Sequence, residues 1–184
     1  MTRFSTLALL LTFLAAPAQA QDSRSYEGIT WRKVSEPGIE VRGGEATGVL
    51  EAPMDRVLQQ VRDYASYDDF LPHFRQVRVL GERGDRAMVY LQVEILHGAG
   101  TLWAQVQIHA RQSGSGHVVE ARMLRGNMDG FVARWELERV SDSRTRVTFT
   151  LVADPQVPAP GSVVANQNEQ FARKCVRALR NRLR

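Results

Sequence analysis

Between Gln76 and Leu151 apolar and polar residues alternate in six successive runs, each closed by a turn sequence. Side chains of a strand point to opposite faces with a period of two, so each run describes a strand with one apolar face. In Ala87–Leu96, Val89, Leu91, Val93 and Ile95 share one face, and Met88, Tyr90, Gln92 and Glu94 the other. In the next run Leu102, Ala104, Val106 and Ile108 oppose Trp103, Gln105, Gln107 and His109. Phe131, Ala133, Trp135 and Leu137 share a face further on, and Val147, Phe149 and Leu151 close the series. The links are short and rich in glycine, as in Gly81–Asp85, His97–Gly100 and Gly114–Gly116. Such links connect antiparallel neighbours, because parallel strands need crossovers of about a dozen residues or more.

A sheet with one apolar face requires a cover. Prolines at 155, 158 and 160 end the strand pairing, and a helix follows from about Ser162 to Leu183. Val164, Phe171, Cys175, Leu179 and Leu183 mark its apolar stripe. At ~1.5 Å per residue such a helix spans about 30 Å, enough to cross the sheet. Ahead of the meander, Ile29–Ser35 reads as an extended segment anchored by Trp31, and Ile39–Leu50 as a strand whose glycines at 43, 44 and 48 permit a bend. Ala52-Pro53 opens a helix with Val57, Val61 and Tyr64 on one stripe, and Pro72 interrupts a second helical stretch.

The chain has 184 residues, which suits one domain with its own core, expected over 29–184. Residues 1–20 read differently. Arg3, an apolar stretch from Leu7 to Ala16, and Ala18-Gln19-Ala20 have the order of a secretory signal peptide. Cleavage after Ala20 is expected, with export to a bacterial periplasm and residues 21–28 as a flexible leader. The apolar run is too short to span roughly 30 Å of hydrocarbon. Cys175 is the only cysteine, so no internal disulfide exists, and it reads as a core residue.

Charge is unevenly placed. Residues 21–168 hold 17 basic and 19 acidic side chains, whereas 169–184 hold six basic residues against Glu169. That helix lacks the interleaved aromatics of a nucleic-acid surface. Its Arg173, Arg177, Arg180 and Arg184 are candidates for contact with an anionic membrane or an acidic protein, beside their role in complementing the helix dipole.

The order of elements resembles the α+β helix-grip fold of the START, polyketide-cyclase and Bet v 1-like superfamily (SRPBCC). This fold is a curved antiparallel sheet wrapped around a long C-terminal helix, with two short helices after the first strand region. The resemblance runs through Gly48-Val49-Leu50-Glu51-Ala52-Pro53, Asp63-Tyr64-Ala65-Ser66-Tyr67 and Phe70-Leu71-Pro72. It resumes in Gly130-Phe131-Val132-Ala133-Arg134-Trp135-Glu136-Leu137 and Asp154-Pro155. The Asp-Tyr-x-x-Tyr stretch and Pro72 look like the coenzyme-Q-binding branch. What the resemblance implies is an apolar cavity between sheet and terminal helix, holding a lipid, quinone or aromatic compound.

The candidate cavity residues are Tyr64, Phe70 and Phe74 from the helical region and Phe171 and Cys175 from the last helix. Tyr90, Gln92, Trp103, Trp135 and Phe149 are the candidates from strands. Tyr90, Gln92 and Glu94 enter the cavity only if the even face of their strand points inward; the odd face is purely apolar. Enzyme chemistry is weakly signalled. H-E-x-x-H and G-x-S-x-G are absent, and the glycine pairs do not complete a phosphate-loop or dinucleotide fingerprint, so no metal or cofactor is expected. Glu94 with His97 or His109 would be the minimum acid–base pair for a cyclisation, if they converge. The expected function is therefore an exported, noncatalytic holder of an apolar small molecule. Alternatives are a small cyclase or hydrolase using the Glu/His pair, and an interaction domain with a filled core and a basic last helix.

Overall fold

The alternating runs pair strand to strand along a single antiparallel sheet. The structure, a computed structural model, describes residues 23–95 and 100–184. The expected signal peptide, residues 21 and 22 of the leader, and His97 with its turn lie outside them. The chain begins with β1 (Arg24–Tyr26), β2 (Ile29–Val34) and β3 (Gly43–Leu50). Helix α1 (Met54–Arg62), a 3-10 turn (Tyr64–Ser66) and α2 (Tyr67–Phe70) follow. The meander is β4 (Phe74–Arg83), β5 (Arg86–Ile95), β6 (Gly100–Ser113), β7 (Gly116–Gly126), β8 (Met128–Ser141) and β9 (Arg144–Pro155), and α3 (Gly161–Arg182) ends the fold. The sheet order is β1-β2-β3-β9-β8-β7-β6-β5-β4, so β3 closes against the last strand of the meander. This is the α+β helix-grip arrangement.

Three local expectations change. Arg24–Tyr26 forms a hairpin with β2, where a flexible leader was expected. Pro53 caps α1 from outside with extended ψ, one residue before the helix. The strand expected from Ile39 begins only at Gly43. Residues 36–42 instead cross the outer face of the sheet. Arg122 Nη2 donates to Glu36 at 3.0 Å, and the Ile39 side chain fills the space over Gly130.

Two glycines of β3, Gly44 and Gly48, face the helix, whereas Gly43 faces Leu151 and Val152 of β9. A Cβ on Gly44 would lie 2.2 Å from Glu169 Cα and 2.5 Å from Glu169 N, so α3 rests directly on the β3 backbone. On the other side of that contact Asn168, itself buried, donates from Nδ2 to Arg42 O (3.2 Å) and Ala153 O (3.0 Å). Ala172, Cys175, Val176 and Leu179 continue the buried stripe, and α3 packs mainly on β2, β3 and β9. The helix is thus seated on one half of the sheet. The other half, β5 to β8, curves away beneath it.

Candidate functional site: a cavity under the terminal helix

The unfilled space between α3 and β5–β8 is a cavity of about 450 Å³. Its sheet wall follows from the strand period. Val89, Leu91, Val93 and Ile95 of β5 face it, then Leu102, Ala104 and Ile108 of β6. Ala121 of β7 and Ala133 of β8 are cross-strand partners, and two small residues side by side leave the floor open. Phe131, Trp135, Phe149 and Leu151 complete the wall, with the Trp135 and Phe149 rings 4.2 Å apart between centroids.

The helical side is aromatic. Tyr64 and Tyr67 meet edge to face at 5.9 Å, and Tyr67 meets Phe74 in the same way at 6.3 Å. Phe171 of α3 sits 6.3 Å from both Phe74 and His73. Pro155, Val157 and Ala159, from the proline-rich link before α3, border the cavity together with the loop carrying His73.

The polar groups on this surface are mostly spoken for. Tyr67 donates its hydroxyl to Val61 O, and burial pushes its pKa well up. Burial also raises Tyr64, against the opposing charge of Arg62. Cys175 is fully buried, and burial pushes its thiol well above the usual range, leaving a neutral group unsuited to attack. Asn168 bonds to backbone carbonyls on two sides. What remains is an apolar lining with few polar handles, the usual character of a small-molecule pocket.

The sequence-derived candidates divide. Tyr64, Phe74, Trp135, Phe149, Phe171 and Cys175 come together around the cavity. Tyr90 and Gln92 do not, because the odd face of β5 points inward and carries them to the outer side. Trp103 borders the cavity, but its ring stacks on Tyr90 outside at 6.2 Å. Phe70 lies beside a second, open pocket with Pro72, His73, Lys174, Arg177 and Arg182. Glu94 borders the cavity with its carboxylate paired to Arg75, while His109 pairs with Asp85 at 3.4 Å. The register puts Arg86 opposite His109 and Glu94 opposite Thr101. Eight residues of β5 at ~3.3 Å each therefore separate Glu94 from His109 by about 26 Å, so this pair does not converge. Among the described residues no group of three or more His, Cys, Asp or Glu is placed to hold a metal, and no helix is long and apolar enough to cross a membrane.

Of the four arginines considered for outside contacts, two are engaged by the fold. Arg173 stacks over Trp31 at 4.9 Å, and Arg180 donates to Glu27 O at 2.8 Å. Sequence reasoning did not single out Tyr67, Leu71, His73 or the odd face of β5 as lining. The purely apolar odd set was the signal that pointed to that face.

The family model for polyketide cyclase / dehydrase and lipid transport proteins matches residues 50–180. The chain belongs to this family. No curated protein matches it as a relative. Among solved structures, a STAR-related lipid transfer protein fragment from Xanthomonas axonopodis shares 18% identity, over 87% of this chain and 96% of that one, with a TM-score of 0.74. Human StAR-related lipid transfer protein 5 shares 9%, over 91% and 88%, with a TM-score of 0.74. The Zhui aromatase/cyclase from a Streptomyces species shares 20%, over 83% and 86%, with a TM-score of 0.54. At these identities the likeness is one of fold, and the family member's cavity must be read from its own residues.

Proposed function

We propose that this family member holds a hydrophobic small molecule, a lipid, quinone or aromatic compound, in the cavity under α3 without transforming it. The observation that carries the reading is the lining itself. About 450 Å³ of space is walled mainly by aliphatic and aromatic side chains, and Tyr67 and Asn168 among its polar neighbours bond to backbone carbonyls. That volume falls in the ~300–1,000 Å³ range of small-molecule sites. Burial of a chain at ~0.8 kcal/mol per methylene supplies the affinity, less the cost of association. The names of similar structures, lipid transfer proteins among them, agree with such a ligand. The separation of Glu94 from His109, and the neutral buried thiol of Cys175, weigh against a cyclase or hydrolase reading. The open floor weighs against a filled-core interaction domain. The proposal includes export to the periplasm, supported by the order of residues 1–20, and a single domain over 29–184. The quinone option draws on the Asp63–Tyr67 and Phe70–Pro72 stretches.

Native mass spectrometry of the chain purified from its host, followed by organic extraction, tests the reading. The expected result is a reproducible extra mass that leaves on denaturation. A clean apo mass, together with no uptake of an apolar fluorescent probe in titration, would overturn it.

A further inference from the structure

The second pocket shares two residues with the cavity. His73 and Lys174 border both. From that boundary the face of α3 runs outward through Arg177, Ala178 and Asn181 to Arg182, about 12 Å for the eight residues after Lys174. The facing wall is Phe70, Pro72 and His73, with Arg182 lying over the Phe70 ring at 5.9 Å. Three cationic side chains line this pocket and no carboxylate does. Several basic groups of the surface pair with acids, as in Arg32–Glu45, Arg144–Glu51 and Arg146–Glu138, and others, such as Arg56, Arg78 and Arg111, do not; what sets this pocket apart is three cations gathered beside the cavity. Lys174 and Arg177 have no carboxylate within ion-pair distance among the described residues. The helix dipole does not account for Lys174, which stands two turns before the end of α3, beyond the last turn where that effect acts. Its ammonium lies 3.3 Å from His73 Nε2, at the edge where apolar lining gives way to charge.

We propose that the ligand of the cavity is an anionic amphiphile. Its carboxylate or phosphate head is held by Lys174 and Arg177 in the basic pocket, and its apolar tail extends past His73 into the cavity. This rests on the reading of the cavity as a ligand site and specifies the ligand's head group. Arg182 extends the positive field at the rim. The tail supplies desolvation, and the cations select against neutral compounds of the same length.

Calorimetric titration of the full chain with decanoate, decyl phosphate, decanol and inorganic phosphate at low salt tests this. Decanoate and decyl phosphate are expected to bind at least tenfold tighter than decanol, a preference of about 1.4 kcal/mol. The preference is expected to shrink as salt screens the partly exposed cations. In K174Q/R177Q the preference for the two anionic chains over decanol is expected to fall below threefold. R177Q alone, at an exposed side chain, is expected to show a smaller loss in the same direction, which guards against a poorly folded double variant. Equal binding of decanol and decanoate overturns the head-group site and leaves the cavity standing. Binding by none of the three chains removes the cavity reading and this inference with it. Inorganic phosphate binding as tightly as decyl phosphate makes the pocket a free-phosphate site, which overturns the link to the cavity. The link is equally overturned if K174Q/R177Q keeps its decanoate affinity and loses only binding to phosphatidylglycerol vesicles, since the cluster is then a membrane-docking face.

Discussion

Replacing Ala133 by leucine should strengthen the fold and weaken ligand binding together. Ala133 lies in the middle of β8, between Phe131 and Trp135 on the inward face and opposite Ala121 on β7. Its methyl group borders empty space, so three added carbons enter the cavity instead of colliding with a packed neighbour. At ~0.8 kcal/mol per buried methylene the gain approaches roughly 2.4 kcal/mol. For a domain of this size each kcal/mol moves Tm by about 2–4 °C, so a rise of roughly 5–10 °C is the upper expectation. A bound chain loses room for about three methylenes, which by the same arithmetic weakens affinity about fiftyfold. The assay pairs a calorimetric melt of the apo chain with titration of decanoate into wild type and A133L. In a filled core the same change overpacks, at a cost of about 1–3 kcal/mol. A lower Tm with unchanged ligand affinity would therefore refute the description of an open floor.

Gly44→Ala tests the seat of α3. An ordinary contact begins near 3.4 Å, and the new Cβ would stand 2.2 Å from Glu169 Cα, so the helix must retreat by more than 1 Å. The ~0.4–1 kcal/mol usually gained from a stiffer unfolded chain is outweighed, and the denaturation midpoint should fall by about 1–3 kcal/mol equivalent; an equal or higher midpoint would contradict the contact. Glu120 governs an acid-side response. Burial opposes its charge, but hydrogen bonds from Arg134 and Arg122 prevail and hold its carboxyl below the usual range. Its contribution is full above the unfolded-state pKa of about 4.3 and is lost as pH falls through the lower folded value. Melting curves from pH 6 to pH 2.5 should thus show E120Q less sensitive to acid than wild type, and parallel curves would remove Glu120 from the account.

The alternation between Gln76 and Leu151 carried the meander, and the apolar stripe carried α3, because both periods are local properties of a chain. Which face of β5 turns inward is open in the sequence between the mixed even set, whose Tyr90 and Gln92 are named as candidates, and the wholly apolar odd set, which is the one that lines the cavity. The pull of Tyr90 toward the cavity was misleading: this residue lies on the outward set of β5, where its ring stacks on Trp103 across the strands. Other features depend on partners distant in sequence. Gly44 faces Glu169, Glu36 faces Arg122, and Asn168 faces Arg42, and no local pattern announces such pairs. The same holds for the Glu94–His109 separation, which required the register of β5 on β6. The basic pocket escaped because its two walls, Phe70–His73 and Lys174–Arg182, are joined only in space.

The seating of α3 on β2, β3 and β9 divides the molecule's labours. β2 and β3 meet the helix partly through glycine and backbone contacts that tolerate little change, β9 both carries the helix and lends Phe149 and Leu151 to the cavity wall, and β5 to β8 meet open space with side chains of many sizes. Mutation in β5 to β8 alters the shape of the cavity without dislodging the helix above it. On the proposed reading, substitutions in these strands change which small molecule fits while the seat of the helix is kept. Such a division is compatible with neighbours that keep a TM-score of 0.74 at 9% identity.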